Sequence, residues 1–229
     1  MTAGVGASAA VINTPYESYD ASYQSYPEIL EHFTHLPTYN MGVSGAASDE
    51  IVAMQDAFVT FVAENAASRA EKGGIGKGWY GNGDVIILEI GSNGGWDQDF
   101  NTLIGQYYAM IARSGCSNYL ILGDTDDPGT SIADTEQKPF EKNGNENKTA
   151  WETALENEFG DRFINMRLYL IANGLDDAGI EAGIEDKDLA GRGCISRKLR
   201  ADWTHLNSFG YYSKAKAIYV RGVALGYWT

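Results

Sequence analysis

The sequence predicts a single α/β domain built around a parallel β-sheet that helices cover on both faces. Short apolar runs alternate along the chain with amphipathic stretches of helical period, which is the pattern of βαβ units. The chain has 229 residues, of which 44% are hydrophobic, so it can bury one sizeable core. It contains no internal repeat. We therefore expect one domain over residues 1–229.

Five strands are predicted from the apolar runs. The clearest are DVIILEIG, NYLILG and RFINMRLYL, at residues 84–91, 118–123 and 162–170. A weaker strand is LPTYNMGV at 36–43, and a short first strand is expected at TAGVG, residues 2–6. Continuous apolar runs of this kind are typical of strands that are buried on both faces of a parallel sheet.

Four helices are predicted between and after these strands. A helix over 48–71 begins with a serine cap, and one over 99–115 ends at a glycine, the residue that most often stops a helix. Two more are expected over 148–160 and 207–228, the last of them capped by Asn207 or Ser208. The polar stretch 123–147 is rich in turn-forming residues and is expected to be a surface loop.

Charge and composition exclude several classes of partner. The net charge is −14 and the isoelectric point is near 4.5, which disfavours nucleic acids and anionic membranes, because binding them requires lysine and arginine. No apolar run is long enough to span a membrane, and the first residues lack the basic region of a signal peptide, so we expect no membrane insertion and a soluble protein. Cys116 and Cys194 are expected to be free thiols.

The informative polar residues lie just after the predicted strands. Ser8 follows the first strand, Gly45 in NMGVSG follows the second and Asn93 in GSNGG follows the third. Beyond the fifth strand the segment RADWTHLN contains Asp202 and His205. Ligands of parallel sheets bind outside the carboxyl ends of the strands, so we expect these residues at one rim.

Together these side chains have the chemistry of acyl transfer. Ser8 is a weak nucleophile until a base accepts its proton, and His205 can do so if Asp202 fixes its tautomer. A spacing of three residues in a turn lets the Asp202 carboxylate reach the Nδ1 side of the ring and leaves Nε2 for Ser8. The backbone amides of Ser8 and Gly45 and the side-chain amide of Asn93 are the candidate oxyanion donors.

These blocks, in this order, resemble those of the SGNH (GDSL-type) hydrolase superfamily, and the resemblance extends over nearly the whole chain. The first block corresponds to Gly6-Ala7-Ser8, the second-block glycine to Gly45, and the third block to Gly91-Ser92-Asn93. The last block is Asp202-Trp203-Thr204-His205, and the frequent residues that follow it are Leu206, Asn207, Gly210 and Tyr211.

The resemblance implies a three-layer α/β/α, flavodoxin-like fold with a five-stranded parallel sheet of strand order 2-1-3-4-5. It also implies no cofactor, no metal, and hydrolysis of carboxylic esters, often of acetyl groups on carbohydrates. An ester-bearing carbohydrate or a small ester is therefore the expected partner. The later segments also resemble SGNH domains of bacteriophage tails and related bacterial esterases, which implies a virion-associated or extracellular location.

Two departures from the family pattern keep a second function open. Ala7 stands where the family has aspartate, and Gly94 follows Asn93 where aspartate is frequent. Neither missing carboxylate belongs to the proton relay or the oxyanion hole, although loss of the first can loosen the loops around Ser8. The alternative function is a catalytically weakened glycan-binding module that retains the pocket.

The stretch PYESYDASYQSY spaces its tyrosines at intervals of three and four residues directly after Ser8. These rings either cover the core side of a helix or form an aromatic platform for the apolar face of a sugar. In the second interpretation the substrate-binding candidates are Tyr16, Tyr19 and Tyr23, together with Trp96, which lies shortly after Asn93.

Two further groups of residues could suggest a metal. His32 and His35 flank the end of a helix, and their spacing suits a metal only with additional ligands nearby, so we expect structural roles for both. Asp124, Asp126 and Asp127 lack the spacing of a calcium-binding EF-hand loop, so we expect a solvated turn there.

Overall fold

The computed structural model describes residues 4–55, 84–125 and 148–229, and it shows a mixed α/β protein. Its strands in chain order are β1 (Val11–Asn13), β2 (Ser18–Asp20), β3 (Val85–Leu88), β4 (Asn118–Leu122) and β5 (Phe163–Ile164). Its helices are α1 (Tyr26–Thr34), α2 (Phe100–Ser114), α3 (Ala150–Phe159), α4 (Met166–Asp177), α5 (Ile184–Gly191) and α6 (Ser208–Ala224). Residues 48–55 are also helical, and short 3-10 turns lie at Gly160–Arg162 and Arg197–Leu199.

The central sheet has three parallel strands in the order β3-β4-β5. Val85 pairs with Asn118, and Ile121 pairs with Phe163. The predicted strands at 84–91 and 118–123 are thereby confirmed. The predicted strand at 162–170 is wrong after its first residues, because Asn165 caps α4 by accepting a hydrogen bond from the Leu168 amide at 3.1 Å.

The other two predicted strands are absent from the described residues, so the described sheet is not five-stranded. Residues 4–6 form a turn that is closed by a hydrogen bond from the Ala7 amide to the Gly4 carbonyl at 3.1 Å, and residues 36–43 form no strand. Between the two predicted positions in the chain, β1 and β2 form an antiparallel hairpin that was not predicted. The turn between them is held by Thr14, whose Oγ1 accepts from the amides of Tyr16 and Glu17 at 3.2 and 3.1 Å.

The predicted helices are confirmed where they can be described. Asp99 caps α2 through the amides of Asn101 and Thr102, and the helix ends at Gly115 in the left-handed conformation. Thr149 caps α3 and Asn207 caps α6, by the same type of side-chain hydrogen bond. The helix predicted over 48–71 is helical over 48–55, and its remainder lies outside the described residues. Residues 126–147 of the predicted loop also lie outside the described residues.

Helices pack on both faces of the sheet, because successive residues of the strands point to opposite sides. On β4, Leu120 and Leu122 join a core with residues of α1, α4 and α6. Ile121 between them joins a second core with residues of α2 and α3. In the described part of the chain, apolar cores with helices therefore lie on both faces of the sheet. Cys116 and Cys194 are buried and are not joined in a disulfide, as predicted.

Two ion pairs are buried beside the sheet. Arg167 of α4 contacts Glu152 of α3 through Nε and Nη2 at 2.8 and 2.7 Å, and only 1% of the arginine side chain is exposed. Lys214 of α6 is fully buried and pairs with Glu89, one residue beyond β3, at 2.5 Å. The second pair attaches α6 to the carboxyl end of β3. In the described residues, no helix is both long enough and apolar enough to cross a membrane.

Candidate active site

Asp202 and His205 form a closed turn just before α6. His205 Nδ1 lies 2.8 Å from Asp202 Oδ2, while Asp202 Oδ1 accepts from the amides of His205 and Thr204 at 2.7 and 2.9 Å. An ionised carboxylate only accepts hydrogen bonds, so Nδ1 is the donor in this contact, and in the neutral imidazole Nε2 is then the acceptor. This is the arrangement that the Asp-x-x-His spacing predicts.

The same hydrogen bonds set the charge of Asp202. Burial raises the pKa of this carboxyl, but the bonds from the amides of His205 and Thr204 and from the His205 ring outweigh burial, and the pKa lies below its ordinary value. Asp202 is therefore ionised at neutral pH. A negative charge at this place stabilises the imidazolium that forms when His205 accepts a proton.

Asn207 holds the turn against α6. Its Nδ2 donates to the carbonyls of Lys198 and Arg200 at 2.8 and 3.2 Å, on the far side of the turn. Its Oδ1 accepts from the Gly210 amide at 3.1 Å and caps the helix. One side chain thus closes the loop that carries His205 and also begins the helix that follows it.

Ser8 lies against this turn because Gly6 allows a close approach of the two segments. Gly6 has a φ of +91°, and a Cβ at this position would lie 2.5 Å from the Leu206 carbonyl oxygen and 2.8 Å from Ala201 Cβ. A residue with a side chain would push the two segments apart. The Ser8 amide in turn donates to Ser208 Oγ, in the first turn of α6, at 3.0 Å.

The structure brings Ser8, Asp202 and His205 to one place without a direct bond from the serine to the imidazole. Ser8 Oγ and His205 Nε2 make no hydrogen bond to any residue in the described part of the chain. Both side chains are partly exposed. Catalytic hydrogen bonds often form only when substrate binds, so a missing bond from serine to imidazole is compatible with proton transfer during a reaction.

The Ser8 amide is not available as the oxyanion donor that the sequence suggests. An amide has a single proton, and that of Ser8 already points to Ser208 Oγ at 3.0 Å. The expectation that this amide binds the oxyanion is therefore wrong for this conformation. The sequence offers no sign of the contact, because the two residues are 200 positions apart.

Gly45 and Asn93 form a second group, between the loop before residues 48–55 and the loop after β3. Asn93 Nδ2 donates to the Ala46 carbonyl at 3.2 Å, and the amide of Ser48 donates to the Gly94 carbonyl at 3.0 Å. The Gly45 amide makes no hydrogen bond to a described residue, and its φ of +77° places it in an exposed turn. Among the described residues, no hydrogen bond joins this group to the Asp202–His205 turn.

Trp96 is not a surface for a sugar. It is 3% exposed, and its Nε1 donates to the Gly91 carbonyl at 2.8 Å, so it belongs to the core next to α2. The prediction of a substrate-binding role for Trp96 is therefore wrong. Its indole instead fixes the loop that carries Asn93.

The tyrosines do not lie on one helix. Tyr16 is at the hairpin turn and is 93% exposed, whereas Tyr19 on β2 stacks on His32 with ring centroids 4.0 Å apart. Tyr23 is 74% exposed and its amide donates to the Ser8 carbonyl at 2.8 Å. It also has a φ of +60°, which is rare for a bulky residue. Of the proposed platform, Tyr23 is the residue that the backbone places directly beside Ser8.

The other histidines have structural contacts. His32 Nε2 lies 3.0 Å from Glu17 Oε2, and His35 caps the end of α1 in the left-handed conformation. Burial raises the pKa of Glu17, but the hydrogen bonds from Tyr212 and His32 lower it by more than burial raises it. The pKa of Glu17 therefore lies below its ordinary value. Within the described residues, no three His, Cys, Asp or Glu side chains are grouped so that they could hold a metal. Asp126 and Asp127 lie outside the described residues.

A small cavity of about 180 Å³ lies elsewhere, between α4 and α5. It is lined by apolar side chains such as Leu170 and Leu175, with Asp186, Cys194 and Ser196 at its margin. None of the residues that line it belongs to the groups around Ser8 or Asn93. The chemistry of the candidate site is therefore not located in this cavity.

Three residues that support the site were not predicted to do so. The Thr204 amide donates to the Asp202 carboxylate. Asn207 donates to the carbonyl of Lys198, and Ser208 accepts from the amide of Ser8. Ser208 was expected only as a helix cap, and Asn207 as a cap and as a residue that often follows the last block of the resembled family. The signal for a wider role was their position directly after His205, at the junction of the Asp202–His205 turn and α6.

The chain matches no protein-family model, and comparisons with curated proteins and with solved structures also found no match. The function of this site therefore rests on its geometry and on the chemistry of its side chains.

Proposed function

We propose that the protein is a serine esterase that hydrolyses carboxylic esters, with Ser8 as nucleophile, His205 as general base and Asp202 as the residue that orients the imidazole. The substrate class that we propose is a short acyl group, such as acetyl, on a carbohydrate. The proposal extends the SGNH resemblance of the sequence to the activity of the chain.

The observation that carries the proposal is the Asp202–His205 contact with Ser8 held against it. The 2.8 Å contact at Nδ1 leaves Nε2 as an acceptor, which is the tautomer that a general base requires. The ionised Asp202 would also stabilise the imidazolium that forms when His205 accepts the proton of Ser8. Gly6 and Ser208 then fix the backbone of Ser8 beside this histidine.

The reaction would proceed in two steps. In the first, His205 Nε2 accepts the proton of Ser8 Oγ while Oγ bonds to the ester carbonyl carbon, and the imidazolium then protonates the leaving alkoxide. In the second, His205 Nε2 accepts a proton from water as the water oxygen bonds to the acyl carbon. The bond from that carbon to Ser8 Oγ then breaks, the imidazolium returns its proton to Oγ, and the acyl group leaves as a carboxylic acid. The charge on the tetrahedral oxygen needs donors, and the free amide of Gly45 and the side chain of Asn93 are the candidates.

A carbohydrate carrier is supported by the surface near Ser8. Tyr23 is 74% exposed and its backbone is bonded to that of Ser8, and an exposed aromatic ring can stack against the apolar face of a sugar. The net charge of −14 disfavours a polyanionic carrier. A neutral acylated glycan satisfies both conditions.

A glycan-binding module without turnover is the second candidate. Two observations favour it: Ala7 packs against the core without a polar side-chain atom, and the Ser8 amide is bonded to Ser208. A site with fewer oxyanion donors would bind an acylated glycan and react with it slowly. The two candidates differ in turnover, not in the ligand that they bind.

An ester panel separates them. Wild-type protein and the Ser8→Ala variant are assayed on p-nitrophenyl acetate, on a long-chain p-nitrophenyl ester and on acetylated glycans, and both are treated with a fluorophosphonate probe. We expect hydrolysis of the short ester and the acetylated glycan by wild type alone, and labelling at Ser8. Glycan binding without hydrolysis or labelling would select the binding module. Labelling at another serine, such as Ser44 or Ser92, would contradict the assignment of the nucleophile.

A further inference from the structure

The hydroxyl of Ser208 connects three segments of the candidate site. Ser208 is fully buried at the first position of α6, directly after the cap residue Asn207. Its Oγ accepts from the Ser8 amide at 3.0 Å and donates to the Gln24 carbonyl at 3.3 Å. One hydroxyl group therefore attaches the nucleophile segment and the segment after β2 to the helix that begins behind His205.

The backbone of Ser8 is held on both sides. While its amide is bound to Ser208, its carbonyl accepts from the Tyr23 amide at 2.8 Å. A second bond from α6 lies three residues earlier, where the Tyr211 hydroxyl donates to the Val5 carbonyl at 2.6 Å. Burial raises the pKa of Tyr211, and the nearby carboxylates of Glu89 and Asp202 raise it further, so this hydroxyl stays protonated as a donor.

Ser208 links the backbone of Ser8 to the helix end that follows His205, so it fixes where Ser8 lies relative to His205. It follows His205 by three residues, and the intervening Asn207 fixes the catalytic turn to the same helix end. Ala7 has no polar side-chain atom with which the nucleophile loop could hold itself. Without the Ser208 hydroxyl, the Ser8 amide would lose its acceptor, and the segment would be held to α6 by the Tyr211 bond to the Val5 carbonyl, three residues before Ser8.

We propose that Ser208 is a positioning residue, whose hydroxyl keeps Ser8 within reach of His205 at the cost of removing the Ser8 amide from the oxyanion hole. The proposal rests on the esterase function proposed above. It assigns the stabilisation of the oxyanion to donors other than the Ser8 amide. Catalysis in this chain would thus depend on the alignment of the nucleophile more than on the number of donors.

The test compares three variants. Ser208→Ala removes the hydroxyl, and Ser208→Thr retains it. Ser213→Ala is the matched control, because Ser213 is a fully buried serine of the same helix whose hydroxyl donates to Asp177 at 2.8 Å. The measurements are kcat and KM on p-nitrophenyl acetate, the rate of fluorophosphonate labelling at Ser8, and hydrogen exchange of the Ser8 amide.

We expect Ser208→Ala to lower kcat and the labelling rate by about 10- to 100-fold with little change in KM, as a displaced catalytic group does. The Ser8 amide should exchange faster in this variant. Ser208→Thr should recover most of the activity, whereas Ser213→Ala should lose stability and keep wild-type kcat. If Ser208→Ala does not fold, the near-isosteric Ser208→Cys variant replaces it, since a thiol is a weak acceptor.

The outcomes distinguish the two proposals. If wild type hydrolyses esters and Ser208→Ala retains its kcat, the positioning role is wrong and the esterase function stands. If Ser208→Ala is faster than wild type, the released amide is a working oxyanion donor, which also overturns the positioning role. If wild type neither hydrolyses esters nor labels at Ser8, both proposals fall together.

Discussion

The substitution Asp202→Asn tests the proton relay through the tautomer of His205. In the wild type, Oδ1 accepts from two backbone amides at 2.7 and 2.9 Å, and Oδ2 faces His205 Nδ1 at 2.8 Å. An asparagine must place its oxygen where the two amides donate. Its NH₂ group then occupies the Oδ2 position and points at Nδ1, so that two donors would meet.

The conflict is relieved only if His205 changes its tautomer. With the proton moved to Nε2, Nδ1 accepts from the asparagine, but the ring no longer has an acceptor for the proton of Ser8. A triad that is held in the wrong tautomer in this way loses about 10⁴-fold in kcat. This loss corresponds to about 5 kcal/mol of activation free energy. The two amide bonds survive, so the turn and the fold should be retained.

The assay is kcat on p-nitrophenyl acetate at neutral pH, together with the ¹⁵N chemical shifts of the His205 ring. Asp99→Asn is the matched control, because Asp99 also accepts from two backbone amides, at 3.1 and 3.2 Å, and caps α2 away from the site. Asparagine caps helices as well as aspartate does, so this variant should keep wild-type kcat. If Asp202→Asn keeps kcat within about tenfold of wild type while the ring tautomer changes, Asp202 does not orient a catalytic base.

Four further predictions follow from the contacts described above. Gly6→Ala should lower the free energy of unfolding by at least about 1–3 kcal/mol, measured by urea denaturation, because its φ is +91° and its Cβ would meet the Leu206 carbonyl. Asn93→Asp should stay folded with an unchanged melting temperature but lose about 10²-fold or more in kcat; a folded, fully active variant would remove Asn93 from the oxyanion hole. Arg167→Met should destabilise the protein by about 3–5 kcal/mol, since it leaves a buried carboxylate unpaired, and an unchanged urea midpoint would contradict this. Burial raises the pKa of Asp186, but hydrogen bonds from Lys198, Ser196 and the Gly183 amide lower it by more than burial raises it. This net depression stabilises the fold above the pKa of the unfolded chain and is lost as the pH falls, so the urea midpoints of wild type and Asp186→Asn should converge between about pH 5 and pH 2.

The local parts of the site could be predicted from the sequence, since they depend on neighbouring residues. The Asp202–His205 contact spans three positions, and a turn of that length has few conformations. The stop of α2 at Gly115 and the Asn207 cap of α6 were predicted for the same reason. Contacts such as that from Ser8 to Ser208 join residues 200 positions apart, and they depend on how α6 packs on the rest of the chain.

Two of the expectations failed where a local polar side chain outweighs the pattern of apolar and aromatic residues. Asn165 lies within the apolar run 162–170 and begins a helix there, because its side chain accepts from an amide three residues later. The tyrosines after Ser8 have helical spacing, but Thr14 binds the amides of the next residues and turns the chain into a hairpin. In both segments a single hydrogen-bonding side chain was the better predictor.

Asn207 makes α6 a remote reporter of events at the site. Its amide group is bonded in two directions, to the carbonyls of Lys198 and Arg200 and to the amide of Gly210. The loop that carries His205 cannot open without releasing the helix cap, and fraying of the first helical turn loosens the loop. A ligand that binds the loop should therefore slow hydrogen exchange in the first turn of α6, at amides that it does not touch. Occupancy of the site could then be monitored by exchange alone, even with a molecule that is never turned over.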